Sequence, residues 1–102
     1  SLQQSFLPTL DKISNSLENT TGQITVEGHT DNVPIAFSER FRTNWDLSAA
    51  RSAAVADYLL NSSRLAPGRV TVTGFADTKP IDNNDTPLGR SKNRRIEIVI
   101  DD

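Results

Sequence analysis

Residues 24–35 read ITVEGHTDNVPI, and residues 70–81 read VTVTGFADTKPI. Aligned without a gap, the two phrases share Thr, Val, Gly, Asp, Pro and Ile in the same order and spacing. Each opens on alternating apolar residues, the pattern of a strand with one apolar face. Each then meets a Gly, an Asp in the following turn, and a Pro-Ile pair leading towards a helical segment. Strands joined through a helix run parallel with right-handed crossovers. A chain that writes one β-loop-α unit twice is therefore directed to a sheet in which both loops leave the same edge. In open α/β sheets that edge is where ligands sit.

The rest of the chain fits around this pair. Residues 6–22 place Phe6, Leu7, Leu10, Ile13 and Leu17 at helical spacing, with Pro8 near the start and Gly22 as the stop. In the strand at 23–30, Ile24, Val26 and Gly28 face one way, and Thr25, Glu27 and His29 the other. Residues 32–43 carry Pro and two Phe among mixed charges and read as an ordered loop. Residues 44–63 hold no Gly or Pro and predict a long helix with Leu47, Ala50, Ala54, Val55, Tyr58 and Leu59 on its apolar face. Thr43 with Asp46 is its expected cap.

A second strand is predicted over 69–75 and a short helix over 87–94, capped by Asp85 or Thr86 with Pro87 first. A last strand spans 95–100, with Ile96, Ile98 and Ile100 on one face. The last connection, being short, either keeps that strand parallel or reverses it. The expected fold is an α/β (α+β) sandwich: one small mixed sheet, helices packed on one face, two repeated β-loop-α units.

Composition removes several function classes. At 102 residues the chain has the size of one domain, an N-terminal helix over 1–22 and a core over 23–102. The net charge of −2 provides no global positive field for nucleic acid. With no cysteine there are no disulfides, thiolate nucleophiles or Cys-based metal sites. No apolar run approaches the roughly 18 residues of a membrane span.

Few residues are candidates for chemistry. His29 is the only histidine, so neither a two-His metal pair nor a Ser-His-Asp triad assembles around it; a structural role bonded to backbone is expected. The DNND run at 82–85 lacks the calcium-loop ligand pattern and reads as a turn with a helix cap. Arg90, Lys92, Arg94 and Arg95 cluster without an aromatic platform, which argues against a nucleic-acid surface. Asp77, with Lys79 close by, reads as a turn residue. What remains is Asp31 in the first loop, with Asn44, Leu47, Ser48 and Arg51 lining the start of the next helix. If the loop folds back, Asp31 approaches Arg51. Two readings stand side by side: a salt bridge tying loop to helix, or an anion and a cation that frame a zwitterionic head group.

Several ordered blocks across residues 24–100 — GHTDN, NWDLSAAR, VTVTGFADTKPI and GRSKNRR — resemble the OmpA-like peptidoglycan-binding domain. Within that family the long loop before NWDLSAAR is most similar to flagellar stator B subunits of the MotB or PomB type. The resemblance implies a non-enzymatic module, without cofactor or metal, that holds the diaminopimelate of a peptidoglycan stem peptide. Asp31 of the Thr30-Asp31 pair and Arg51 would hold its two ends, Asn44 and Leu47 would line the pocket, and Arg94 would add a weaker contact. It also implies a homodimer in the periplasm, tethered to the inner membrane by a preceding transmembrane helix that meets the stator A subunit. The alternative hosts are an outer-membrane porin tail and a peptidoglycan-associated lipoprotein. The family's opening strand either lies before Ser1 or is lacking; if it is lacking, one edge of the sheet is expected to be open.

Overall fold

A computed structural model describes residues 4–35 and 41–101. The chain runs α1 (Leu7–Leu17), β1 (Gln23–His29), α2 (Asn44–Asn61), β2 (Val70–Gly74), α3 (Pro87–Asn93) and β3 (Arg95–Asp101), with 3-10 turns at Gln4–Phe6 and Pro67–Arg69. This is the predicted alternation of helix and strand. Part of the predicted loop over 32–43, residues 36–40, lies outside the described residues. Among the described residues no helix is long and apolar enough to cross a membrane.

The three strands form one mixed sheet in the order β2-β1-β3. The two copies of the repeat, β1 and β2, are parallel neighbours with Ile24 opposite Val70 and Gly28 opposite Gly74. β3 runs antiparallel to β1 and sets Arg95 opposite His29. Of the two directions open to the last strand, the reversed one is found. α3 is only seven residues long, too short to carry the chain back to the end where β1 and β2 begin. The chain enters β3 where they finish.

Helices α1 and α2 cover one face of the sheet. The core joins Leu10 and Leu17 of α1, Ile24 and Val26 of β1, and Val55, Ala56 and Leu59 of α2, with Ile96 and Ile98 of β3 packed against it. Burial of each large aliphatic contributes about 1.5–3 kcal/mol. Two details of α1 differ from expectation. The helix stops at Leu17 rather than at Gly22, because the Thr20 hydroxyl and amide both turn back onto the Leu17 carbonyl, at 2.7 and 3.0 Å. Gly22, at φ 96°, instead turns the chain into β1. Phe6 is 57% exposed and takes no part in the core.

α2 is rotated from its predicted face. It buries Ser48, Ser52, Val55, Ala56 and Leu59, while Ala50 is exposed. The cause lies below it. A Cβ at Gly28 would sit 2.2 Å from the Ser48 carbonyl oxygen, and one at Gly74 would sit 2.6 Å from the Ala49 amide nitrogen. Two adjacent glycines leave a bare patch on the sheet, and the helix descends onto it with its smallest residues. The buried hydroxyls are satisfied: Ser52 Oγ lies 3.0 Å from the Ser48 carbonyl and 3.1 Å from that of Thr73. Ser48 Oγ accepts from the Ala76 amide at 3.0 Å. As predicted, Thr43 caps the helix by accepting from the Asp46 amide.

Candidate functional site

The site grows from the ends of β1 and β2. The parallel pairing continues past both strands, since the Phe75 amide donates to the Gly28 carbonyl at 2.9 Å and the Thr30 amide to the Ala76 carbonyl at 2.8 Å. Ala76, buried and held at φ 52°, is fixed there by that bond and by Ser48. Asp31 therefore starts its loop from a rigid base.

Both carboxylate oxygens and the carbonyl of Asp31 are engaged. Its Oδ1 accepts from the Val33 amide at 3.0 Å, closing an Asx turn. Its Oδ2 accepts from Arg94 Nη1 at 2.6 Å. Its carbonyl accepts from the Thr30 hydroxyl at 2.8 Å and from Asn44 Nδ2 at 3.4 Å, and Asn44 also donates to the Val33 carbonyl at 3.1 Å. The structure thus brings Thr30, Asp31, Asn44 and Arg94 into one cluster.

The cation on Asp31 is Arg94, so the salt-bridge reading of the Asp31–Arg51 pair is corrected. The reversal of β3 explains the exchange: its first residues stand beside the last residues of β1, and Arg94 immediately precedes β3. Arg51 is exposed, and its side chain makes no hydrogen bond or ion pair with another described residue. It lines an open groove of about 660 Å³ together with Arg94 and Arg95, over a floor that includes Leu10, Ile13, Val55 and Ile98. Leu47, half-buried one turn before Arg51, is outside that groove. The result is an apolar trough flanked by Arg51 and Arg94, with the Asp31 carboxylate held on Arg94 and the Arg51 cation unpaired among the described residues.

The rest of the basic segment is structural. Arg90 donates to the Asn84 carbonyl at 2.9 Å, Lys92 pairs with Asp82 at 3.3 Å, and Arg95 donates to Glu97 at 2.5 Å. The Asn83 amide and the Lys92 ammonium hold the Asp82 carboxyl below its ordinary pKa. Cations that are each spent on a neighbour do not make a nucleic-acid surface. Within the DNND run, Asp82 accepts from the Asn83 amide, Asn83 accepts from the Asp85 amide, and Thr86, not Asp85, caps α3. Asp77 is exposed and holds nothing among the described residues; Thr78 closes that turn on the Phe75 carbonyl, and Lys79 lies over the Phe75 ring.

Sequence reasoning passed over Asn93. It is fully buried; its Oδ1 accepts from the Ile81 and Asp82 amides, and its Nδ2 donates to the Asp82 carbonyl and Asn84 Oδ1. One side chain thereby fastens the 81–84 loop to the residue that precedes Arg94. Its place beside Arg94 was the available signal. His29 also departs from expectation. It is buried and stacked on Phe75, the same position of the other repeat copy, at 5.3 Å. Neither ring nitrogen has a hydrogen-bond partner among the described residues, so the expected backbone bond is absent. Burial first, and then the Arg95 charge, lower its pKa and keep the ring neutral near pH 7.

The OmpA family profile matches residues 1–94. Motility protein B of Bacillus subtilis is 38% identical over 100 residues, which are 97% of this chain and 38% of that protein. The peptidoglycan-binding protein ArfA of Mycobacterium tuberculosis is 38% identical over 92 residues, 89% of this chain and 26% of that protein. This chain therefore spans well under half the length of either relative. The solved structure of the cell wall anchor of the T6SS from Pseudomonas aeruginosa superimposes with a TM-score of 0.89 at 43% identity, covering 98% of this chain and 68% of that one. With a family match over nearly its whole length and the same small mixed sheet under its helices, the chain belongs to the OmpA family.

Proposed function

We propose that this domain binds peptidoglycan without transforming it, by gripping the diaminopimelate of a stem peptide, and so fastens a larger protein to the cell wall. The observation that carries the reading is the Asp31 carboxylate, on a side chain 11% exposed and held in a fixed turn, close to a cationic groove in which Arg51 is unpaired among the described residues. The free end of diaminopimelate carries an ammonium and a carboxylate on one carbon. A carboxylate accepts from an ammonium, and a guanidinium grips a carboxylate in two prongs. The Arg94 side chain is 46% exposed, so it yields Oδ2 of Asp31 to the incoming ammonium and turns with Arg51 to the ligand carboxylate. Thr30 and Asn44 hold the loop, and Leu47 adds an apolar wall. Support comes from the relatives: ArfA is a peptidoglycan-binding protein, and the T6SS protein is a cell wall anchor.

Similarity to Motility protein B makes a flagellar stator the host we favour. There the domain stands in the periplasm, one of a pair, tethered to the inner membrane by a preceding helix beside the stator A subunit. Isothermal titration of the chain with a muropeptide bearing diaminopimelate tests the binding. Modest affinity is expected, because one head group offers few contacts. Asp31→Ala and Arg51→Ala should each weaken it by about tenfold or more, which is roughly 1.4 kcal/mol. Absence of binding by the folded chain, equal binding by both variants, or turnover of the muropeptide would overturn the reading.

A further inference from the structure

On the sheet face opposite the helices, Glu27 of β1 stands directly across from Glu97 of β3. Like charges in that position repel. His29 lies two residues further along β1, on the same face, and its side chain is 2% exposed. Its Nε2 is 3.7 Å from Glu27 Oε1 and 3.8 Å from Glu97 Oε2. Both distances are too long for hydrogen bonds. They are close to the separation of about 3.4 Å between two ligands held at 2.0–2.2 Å around one tetrahedral cation. One ligand atom from each of Glu27, His29 and Glu97, one nitrogen and two oxygens, all lie within 4.8 Å of one another. A buried imidazole with no partner on either nitrogen is otherwise an uncompensated desolvation.

We propose that Glu27, His29 and Glu97 form a binding site for one divalent transition-metal cation of the zinc class. His29 supplies Nε2, each glutamate supplies one oxygen, and water takes the remaining position. An imidazole with two carboxylates suits zinc or its first-row neighbours, whereas calcium and magnesium demand shells of oxygen. The cation neutralises the Glu27–Glu97 repulsion that Arg95 relieves only from the side of Glu97. Arg95 is itself tied to the Lys79 and Asn93 carbonyls, so it stays in place when Glu97 turns to the metal. The bound ion would staple β1 to β3 at the end of the sheet where Asp31 and Arg94 leave it. This inference is independent of the peptidoglycan reading.

The test is titration of the tag-free chain with zinc ion alone. With one histidine and no cysteine the background is clean. One zinc per chain is expected, with a shift of the His29 Nε2 resonance. The Tm should rise on the order of 10 °C at a hundredfold excess over Kd. Glu27→Gln and Glu97→Gln, which keep volume and remove charge, should each weaken binding roughly tenfold or more. Magnesium should do nothing. An unchanged His29 Nε2 resonance at saturating zinc overturns the proposal, as does wild-type affinity in both glutamine variants. Should either variant fail to fold, the His29 resonance in the unaltered chain decides alone.

Discussion

Gly28 and Gly74 are register partners on adjacent parallel strands, and α2 rests on both. This is why the repeated phrase keeps its glycine. A methyl group at Gly28 meets the Ser48 backbone oxygen at 2.2 Å, and backbone cannot rotate away. At Gly74 the nearest atoms are the Ala49 nitrogen at 2.6 Å and the Ser48 hydroxyl at 2.7 Å, the second of which can move. Gly28→Ala should therefore cost about 3 kcal/mol or more, and Gly74→Ala about 1–3 kcal/mol, after the smaller gain from a stiffer unfolded chain. Urea unfolding checks this: the midpoint should fall further for Gly28→Ala at a similar slope. Equal midpoints for the two variants would contradict it.

What could be read from the residues follows from the range of each signal. The period-two alternation of residues 24–29 and 70–74 is local, and so are the Thr43 cap and the Thr86-Pro87 start of α3. These elements stand as predicted. The buried face of α2 was not legible, because serines are buried there only where two glycines of distant strands meet. Nor could spacing alone pair Asp31 with Arg94, which lies 63 residues away. That contact depends on the direction of β3, which no local pattern encodes; the family resemblance points to Arg94 only as a lesser contact. The surroundings of His29 depend on the same reversal, since Glu97 comes from β3.

The division of labour between Arg94 and Arg51 predicts two different phenotypes. Removing Arg94 strips a nearly buried carboxylate of its cation, although water reaches the exposed side of that pair. Arg94→Ala should cost about 1–2 kcal/mol of stability and weaken muropeptide binding. Arg51 has no described partner to lose, so Arg51→Ala should change stability by less than about 0.5 kcal/mol while weakening binding at least as much. Thermal unfolding beside titration separates them. A large loss of stability in Arg51→Ala would mean that its role is structural.

Asn93, the last residue of α3, is expected to be the most sensitive polar anchor of the 81–84 loop. Asn93→Ala leaves the Ile81 and Asp82 amides and the Asp82 carbonyl without their partner in a buried spot. Each such group costs about 1–3 kcal/mol when no water replaces the bond. Since Ile81 and Asp82 are themselves exposed, partial rehydration should bring the total to about 3 kcal/mol. Amide exchange locates the damage: protection should vanish at Ile81 and Asp82 while Val26, in the central strand, keeps it relative to global unfolding.

The chemistry of the ligand head group yields the sharpest test of the proposed function. A stem peptide with lysine in place of diaminopimelate keeps the side-chain ammonium and lacks the carboxylate beside it. Asp31 would still be served, but Arg51 and Arg94 would face an empty position after losing water. A hydrogen bond to a charged group contributes about 1.5–3 kcal/mol. The lysine-type muropeptide should therefore bind at least about tenfold more weakly. The difference should also shrink in Arg51→Ala, because the group that reads the carboxylate has gone. A competition titration of both muropeptides against the wild-type chain and that variant measures all four affinities. Equal binding of the two muropeptides to the wild type would leave Asp31 as an ammonium site alone and remove the arginines from recognition.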